Sequence, residues 1–189
     1  ASVSNAGDVN GDGLSDLVLG TAGGNSYIVF GKTGTGTVQI TTLDGSEGFR
    51  IVNAYANEFM GNAVSGGGDI NGDGFDDVII GDYKGDTTLT DNGKTYVVYG
   101  GSTNAGIELA SGTIAASSGF KITGPSGAQL GASVSNIGDT NGDGFSDLIV
   151  TSQLNSNAYV VYGNSGLTGL NLTSGTIAAS NGYKITGQT

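Results

Sequence analysis

One acidic phrase of nine residues occurs three times in the chain, as DVNGDGLSD (8–16), DINGDGFDD (69–77) and DTNGDGFSD (139–147). Each copy places a carboxylate or amide oxygen at positions 1, 3, 5 and 9, with Gly at position 6 and an apolar residue at position 7. That array suits a hard cation such as Ca²⁺, which takes six to eight oxygens in a flexible shell. The copies start 61 and 70 residues apart, so the chain reads as a repeat protein with one loop per repeat.

Aligning on the loops divides the chain into residues 1–61, 62–131 and 132–189. Each repeat opens with a small-residue strand: ASVSNAG from Ala1, NAVSGGG from Asn62 and ASVSNIG from Ala132. The loop then runs into an apolar strand at Leu17, Val78 or Leu148. A third strand carries aromatic residues at Tyr27, Tyr96 and Tyr159. A longer polar connection leads to a fourth, GFRIV at Gly48, GFKIT at Gly119 or GYKIT at Gly182. With no helical period, each repeat is expected to form a four-stranded antiparallel unit. The first strand is thin and the next two are bulky, the taper of blades set radially about an axis. The expected fold is all-β, with three propeller blades per chain.

Composition supports this reading. The 37 Gly residues alternate with β-branched and aromatic runs, as tight turns between short strands require. Of the 17 acidic residues, nine stand at the ligand positions of the loops, so the formal charge of −11 is largely a ligand inventory. Three bound Ca²⁺ would bring it to −5. Six scattered Lys and Arg residues make nucleic acid and anionic membranes poor partners. The chain has no Cys and no His, which excludes disulfides, thiolate and imidazole chemistry and the usual zinc ligands. No apolar run reaches transmembrane length. The start at Ala1 falls in mid-pattern without an initiator Met, as expected of a piece cut from a longer chain or a processed one.

The loop chemistry can be assigned atom by atom. Asp8, Asn10 and Asp12 offer side-chain oxygens, Leu14 its carbonyl and Asp16 a carboxylate able to bind through both oxygens. The second set is Asp69, Asn71, Asp73, the Phe75 carbonyl and Asp77. The third is Asp139, Asn141, Asp143, the Phe145 carbonyl and Asp147. Asp76 and Ser146, at position 8, are expected to face solvent. An EF-hand would need Glu at position 12 and flanking helices, but Leu19, Ile80 and Val150 stand there. Simple hairpin turns without metal would not call for four oxygen positions in three copies.

These loops and the strands after them resemble FG-GAP repeats, the blades of the integrin alpha-chain β-propeller, which also occur in bacterial surface and secreted proteins. The likeness is looser elsewhere: Met60-Gly61 and Leu130-Gly131 stand for Phe-Gly. Gly20-Thr21-Ala22, Gly81-Asp82-Tyr83 and Thr151-Ser152-Gln153 stand for Gly-Ala-Pro. The resemblance implies one Ca²⁺ in the first hairpin of each blade, three per chain, and an extracellular or cell-surface setting. It transfers no integrin ligand.

Weaker candidates are Asp82, Asp86 and Asp91 as a second cation site, against a solvated acidic loop. The strand tyrosines could stack on sugars, against core packing. Arg50, Lys121 and Lys184 read as protective charges on edge strands. The leading functional expectation is a non-catalytic calcium-binding module, a scaffold or adhesion surface with a protein or glycan ligand. The rivals are part of a polysaccharide- or lipid-degrading enzyme, and an excised or engineered repeat fragment without a function of its own. Three blades cannot close a ring, so a homodimer completing six blades is expected.

Overall fold

The computed structural model describes residues 1–21, 24–53, 59–85, 91–102, 106–109 and 112–187. Within them the chain is all-β apart from one 3₁₀ turn at Ile40–Thr42, and its strands form three sheets. Sheet 1 begins with β1 (Ser2–Gly7), β2 (Asp16–Gly20), β3 (Asn25–Val29) and β4 (Gly48–Asn53) as an antiparallel meander. Sheet 2 repeats the pattern with β5 (Ala63–Gly68), β6 (Asp77–Asp82), β7 (Lys94–Val98) and, after the short β8 (Ile107–Leu109), β9 (Gly119–Thr123). Sheet 3 has β10 (Leu130–Gly138), β11 (Asp147–Ser152), β12 (Asn157–Val161) and, after β13 (Leu170–Asn171), β14 (Gly182–Thr186). Three sheets of four or five strands are consistent with propeller blades.

Two strands depart from the four-strand expectation. β8 leaves the second repeat and pairs in parallel with β4, so that Ile107 faces Ile51. β13 leaves the third repeat and pairs in parallel with β9, so that Leu170 faces Ile122. Sheets 1 and 2 therefore have five strands each, and the expected boundary at residue 61 does not bound sheet 1. The cause is geometric. The polar connection after the third strand is long enough to reach the outer strand of the preceding sheet, whose backbone would otherwise be an unpaired edge.

Of the innermost strands, β5 lies against both β1 and β10, as the taper predicts. A Cβ on Gly66 would sit 2.5 Å from the Asn5 carbonyl oxygen, so only glycine allows that approach. The Ser65 hydroxyl in turn accepts the Asn136 amide at 3.3 Å. Each inner strand slips register just before its loop, between Asn5 and Gly7, Gly66 and Gly68, and Asn136 and Gly138. Bulges of this kind re-aim the chain where pairing ends.

Apolar side chains fill the gaps between sheets. One core, with Val18, Ile28, Phe49, Ile51, Val78 and Tyr96, lies between sheets 1 and 2. The other, with Ile79, Val97, Phe120, Leu148, Val150 and Tyr159, lies between sheets 2 and 3. Of the strand tyrosines, Tyr27, Tyr96 and Tyr159 are buried core residues, whereas Tyr99 and Tyr162 are half-buried.

Candidate metal centre

The three acidic loops join the two inner strands of each sheet and share one hydrogen-bond pattern. The Asp8 carboxylate gathers three backbone N–H groups: Oδ1 accepts from Gly11 at 2.8 Å and Asp12 at 3.0 Å, and Oδ2 from Gly13 at 2.9 Å. Asp69 does the same with Gly72, Asp73 and Gly74, and Asp139 with Gly142, Asp143 and Gly144. Such short acidic side chains favour turns because they bond the backbone a few residues ahead. The Asn10 side-chain oxygen accepts from the Asp12 amide, and Asp12 Oδ1 accepts from the Leu14 amide at 2.8 Å. The N–H of Gly144 foremost, with those of Gly142 and Asp143, holds the Asp139 carboxyl below the usual range.

Position 9 behaves differently. Asp16, Asp77 and Asp147 are fully buried. Each ties its loop to the chain just after the third strand. Asp16 Oδ2 accepts the Val9 N–H at 2.8 Å and Oδ1 the Gly31 N–H at 2.7 Å. Asp77 does so with Ile70 and Gly100, and Asp147 with Thr140 and Gly163, the Thr140 hydroxyl adding a further bond. Burial pushes the Asp77 carboxyl up to about 7 against the pull of those amides, and the charges of Asp73 and Asp69 add to the rise. Burial likewise raises Asp16.

The structure thus keeps positions 1, 3 and 5 on an open rim and sinks position 9 beneath them. Among the described residues no three acidic side chains converge into a ready-made metal cluster. The donor chemistry nevertheless fits a hard divalent cation. Every candidate ligand is oxygen, and Asp8 Oδ2, Asn10 Oδ1 and both Asp12 oxygens each accept a single hydrogen bond, leaving a lone pair apiece. The like charge that burdens Asp77 is also what a bound cation would offset.

Neighbouring loops are linked, which the sequence reading did not foresee. Asp76 does not face solvent: its Oδ2 accepts the Asp8 N–H, and its own N–H bonds the Asp8 carbonyl. The Ser146 N–H bonds the Asp69 carbonyl at 2.9 Å. The position 7 rings cover glycines one loop back, Phe75 over Gly11 and Phe145 over Gly72. The signal in sequence was a bulky apolar residue in an otherwise polar loop, which needs a surface to rest on.

Of the weaker candidates, Asp86 lies outside the described residues. Asp82 is buried and accepts the Phe59 N–H, so it faces the protein interior. Arg50 and Lys121 do not guard edges, because β8 and β13 cover their strands; Arg50 lies 3.9 Å from Glu108, and Lys121 bonds the Gly112 carbonyl. Lys184 alone of the three stands on an outermost strand.

The model of the FG-GAP repeat matches residues 1–40 and 60–98, each stretch holding a loop and its flanking strands. Two stretches of the chain are thus FG-GAP repeats. The third FG-GAP-like loop falls outside the matched stretches, yet its hydrogen bonds copy those of the other two. Integrin alpha-4 of Xenopus laevis is 28% identical over 165 residues, 82% of this chain and 14% of that protein. Integrin alpha-M of Mus musculus is 35% identical over 83 residues, 40% of this chain and 7% of that protein. The chain thus spans a small part of the length of either relative. Among the described residues no helix is long and apolar enough to cross a membrane.

Proposed function

We propose that the chain is a non-catalytic, calcium-binding propeller module, serving as a scaffold or ligand-binding surface of an extracellular or cell-surface protein. One observation carries the reading: three loops of the same hydrogen-bonded form, each presenting the oxygens of positions 1, 3 and 5 on an open rim over a buried carboxylate. Likeness to integrin alpha chains supports the module and its setting. In this reading Asp8, Asn10, Asp12 and the Leu14 carbonyl hold one ion with Asp16, and the equivalent residues of the other loops hold two more. A bound Ca²⁺ would supply the positive charge that several clustered carboxylates lack. Its role is to stiffen the loops and hold their acidic groups together, and the ligand-binding surface is then presented on a fixed frame.

Titration calorimetry tests the proposal. Three Ca²⁺ per chain are expected, with Mg²⁺ binding poorly because the loop offers more oxygens than a small octahedral ion prefers. No uptake of Ca²⁺, or a preference for Zn²⁺, overturns the metal assignment. Turnover on a panel of polysaccharides or lipid esters overturns the non-catalytic one.

A further inference from the structure

A cavity opens at each of the joints where a later strand meets the outer strand of the sheet before it. The two correspond residue by residue. At the first, β8 pairs with β4 and sets Glu108 opposite Val52; at the second, β13 pairs with β9 and sets Asn171 opposite Thr123. Arg50 and Lys121, each one place before the paired isoleucine, bring the positive charge. Gly106 and Gly169 stand just before the added strand in both.

They differ in charge and in size. The first holds its own carboxylate, Glu108, 3.9 Å from Arg50, and measures about 190 Å³. In the second no acidic residue is in the lining, and the volume is about 410 Å³, within the usual range of small-ligand sites. Lys121 bonds the Gly112 carbonyl at 2.8 Å but forms no ion pair among the described residues. Burial pulls its ammonium below the usual range, and the charge of Lys94 adds to the pull. A nearby anion would offset both. The Asn171 side-chain oxygen accepts the Thr173 N–H at 3.0 Å, which leaves its N–H₂ group as a donor. Thr123 and Thr168 bring hydroxyls to the lining, and Ile114 and Leu170 an apolar wall.

We propose that the cavity between β9 and β13 binds an acidic sugar, a pyranose bearing one carboxylate. The carboxylate sits by Lys121 and the Asn171 amide, in the role that Glu108 plays for Arg50. The sugar hydroxyls meet Thr123 and Thr168, and its C–H face lies against Ile114 and Leu170. A hydrogen bond from an ammonium to a carboxylate is about twice as strong as a neutral one, so the charge decides recognition and the hydroxyls refine it. The site rests on the ligand-binding part of the proposed function and deepens it by naming a ligand class. It needs no bound metal.

Calorimetric titration with glucuronate and galacturonate, against glucose and acetate, tests the site. One of the uronates is expected to bind about tenfold more tightly than glucose, the worth of one charge-assisted hydrogen bond, and more tightly than acetate. Glucose binding as well as either uronate overturns the role of the carboxylate, and acetate doing so overturns the sugar. No uptake of either uronate at millimolar concentration overturns the site; if Ca²⁺ is still taken up, the failure is of this site alone. Uronate binding without calcium uptake would overturn the metal assignment and keep the site. Asn171→Glu, at an exposed position, gives the second cavity the carboxylate that the first already has. It should leave the circular dichroism spectrum unchanged and abolish uronate binding, as should Lys121→Met, which keeps the apolar stem. A folded Asn171→Glu chain that binds uronate like the unaltered one puts the binding elsewhere and overturns the proposal.

Discussion

Asp76 grips Asp8 across the gap between two sheets: its carboxylate accepts the Asp8 N–H at 2.7 Å, and its own N–H reaches the Asp8 carbonyl at 3.1 Å. The pair is a two-bond clamp between residues 68 positions apart, made by a loop position that sequence reading had assigned to solvent. It couples the first acidic loop to the second. Whatever steadies one steadies the other.

Asp76→Ala is therefore expected to cost about 1–2 kcal/mol, because it strips a charged acceptor from a part-buried amide. Ser146→Ala, at the same place in the third loop, should cost under about 0.5 kcal/mol, since that link runs through the Ser146 backbone. Urea unfolding of the two variants reads the contrast. Equal losses would show that the Asp76 carboxylate adds nothing.

If the loops bind calcium as proposed, Asp73 and Asp77 should respond differently to substitution. Asp73→Ala removes a rim oxygen and is expected to abolish one calcium site while changing stability little in EDTA. Asp77→Asn leaves one acceptor where two buried amides converge and turns an N–H₂ toward the other. It should cost roughly 1–3 kcal/mol even in EDTA, the penalty of an unsatisfied buried group. Melting curves with Ca²⁺ and with EDTA distinguish the two, and an Asp77→Asn loss confined to Ca²⁺ would make position 9 a ligand alone.

Removing the metal from the unaltered chain should lower its melting temperature. At free Ca²⁺ tenfold above the dissociation constant, each site contributes about 1.4 kcal/mol by linkage. A melting temperature indifferent to EDTA would show that the hydrogen bonds of the loops suffice.

Gly72 should tolerate alanine badly for two separable reasons. Its φ of +80° disfavours any side chain, and a Cβ there would come 2.4 Å from the Phe145 ring. The conformational part is about 1 kcal/mol, and the steric part comes on top. In a Phe145→Ala background only the first should remain, so a double-mutant cycle is expected to show clear coupling. Additive losses would mean that the ring does not rest on the loop.

The repeat, its four main strands and the burial of Tyr27, Tyr96 and Tyr159 were legible because alternation and spacing recur three times. β8 and β13 were not. Segments as short as Leu170–Asn171 carry no period of their own, and their strand character comes from the neighbouring edge they meet. Arg50 and Lys121 were misplaced for the same reason: their strands cease to be edges only when a later part of the chain arrives. In the loops the oxygen pattern was plain, but the pattern could not say that Asp16, Asp77 and Asp147 are sunk below the rim and bonded to the chain just after the third strand. Spacing gives neighbours along the chain and is silent on depth.

The pairing of β8 with β4 also sets an order of events for a chain emerging from a ribosome. Ile51 must wait for Ile107 before its sheet has its outer cover, and Ile122 must wait for Leu170. The first repeat leaves the exit tunnel with an apolar border still bare, and it is finished by residues not yet made. Synthesis thus runs ahead of completion by most of a repeat throughout. Nascent chains arrested within the second repeat would be the species most in need of a chaperone.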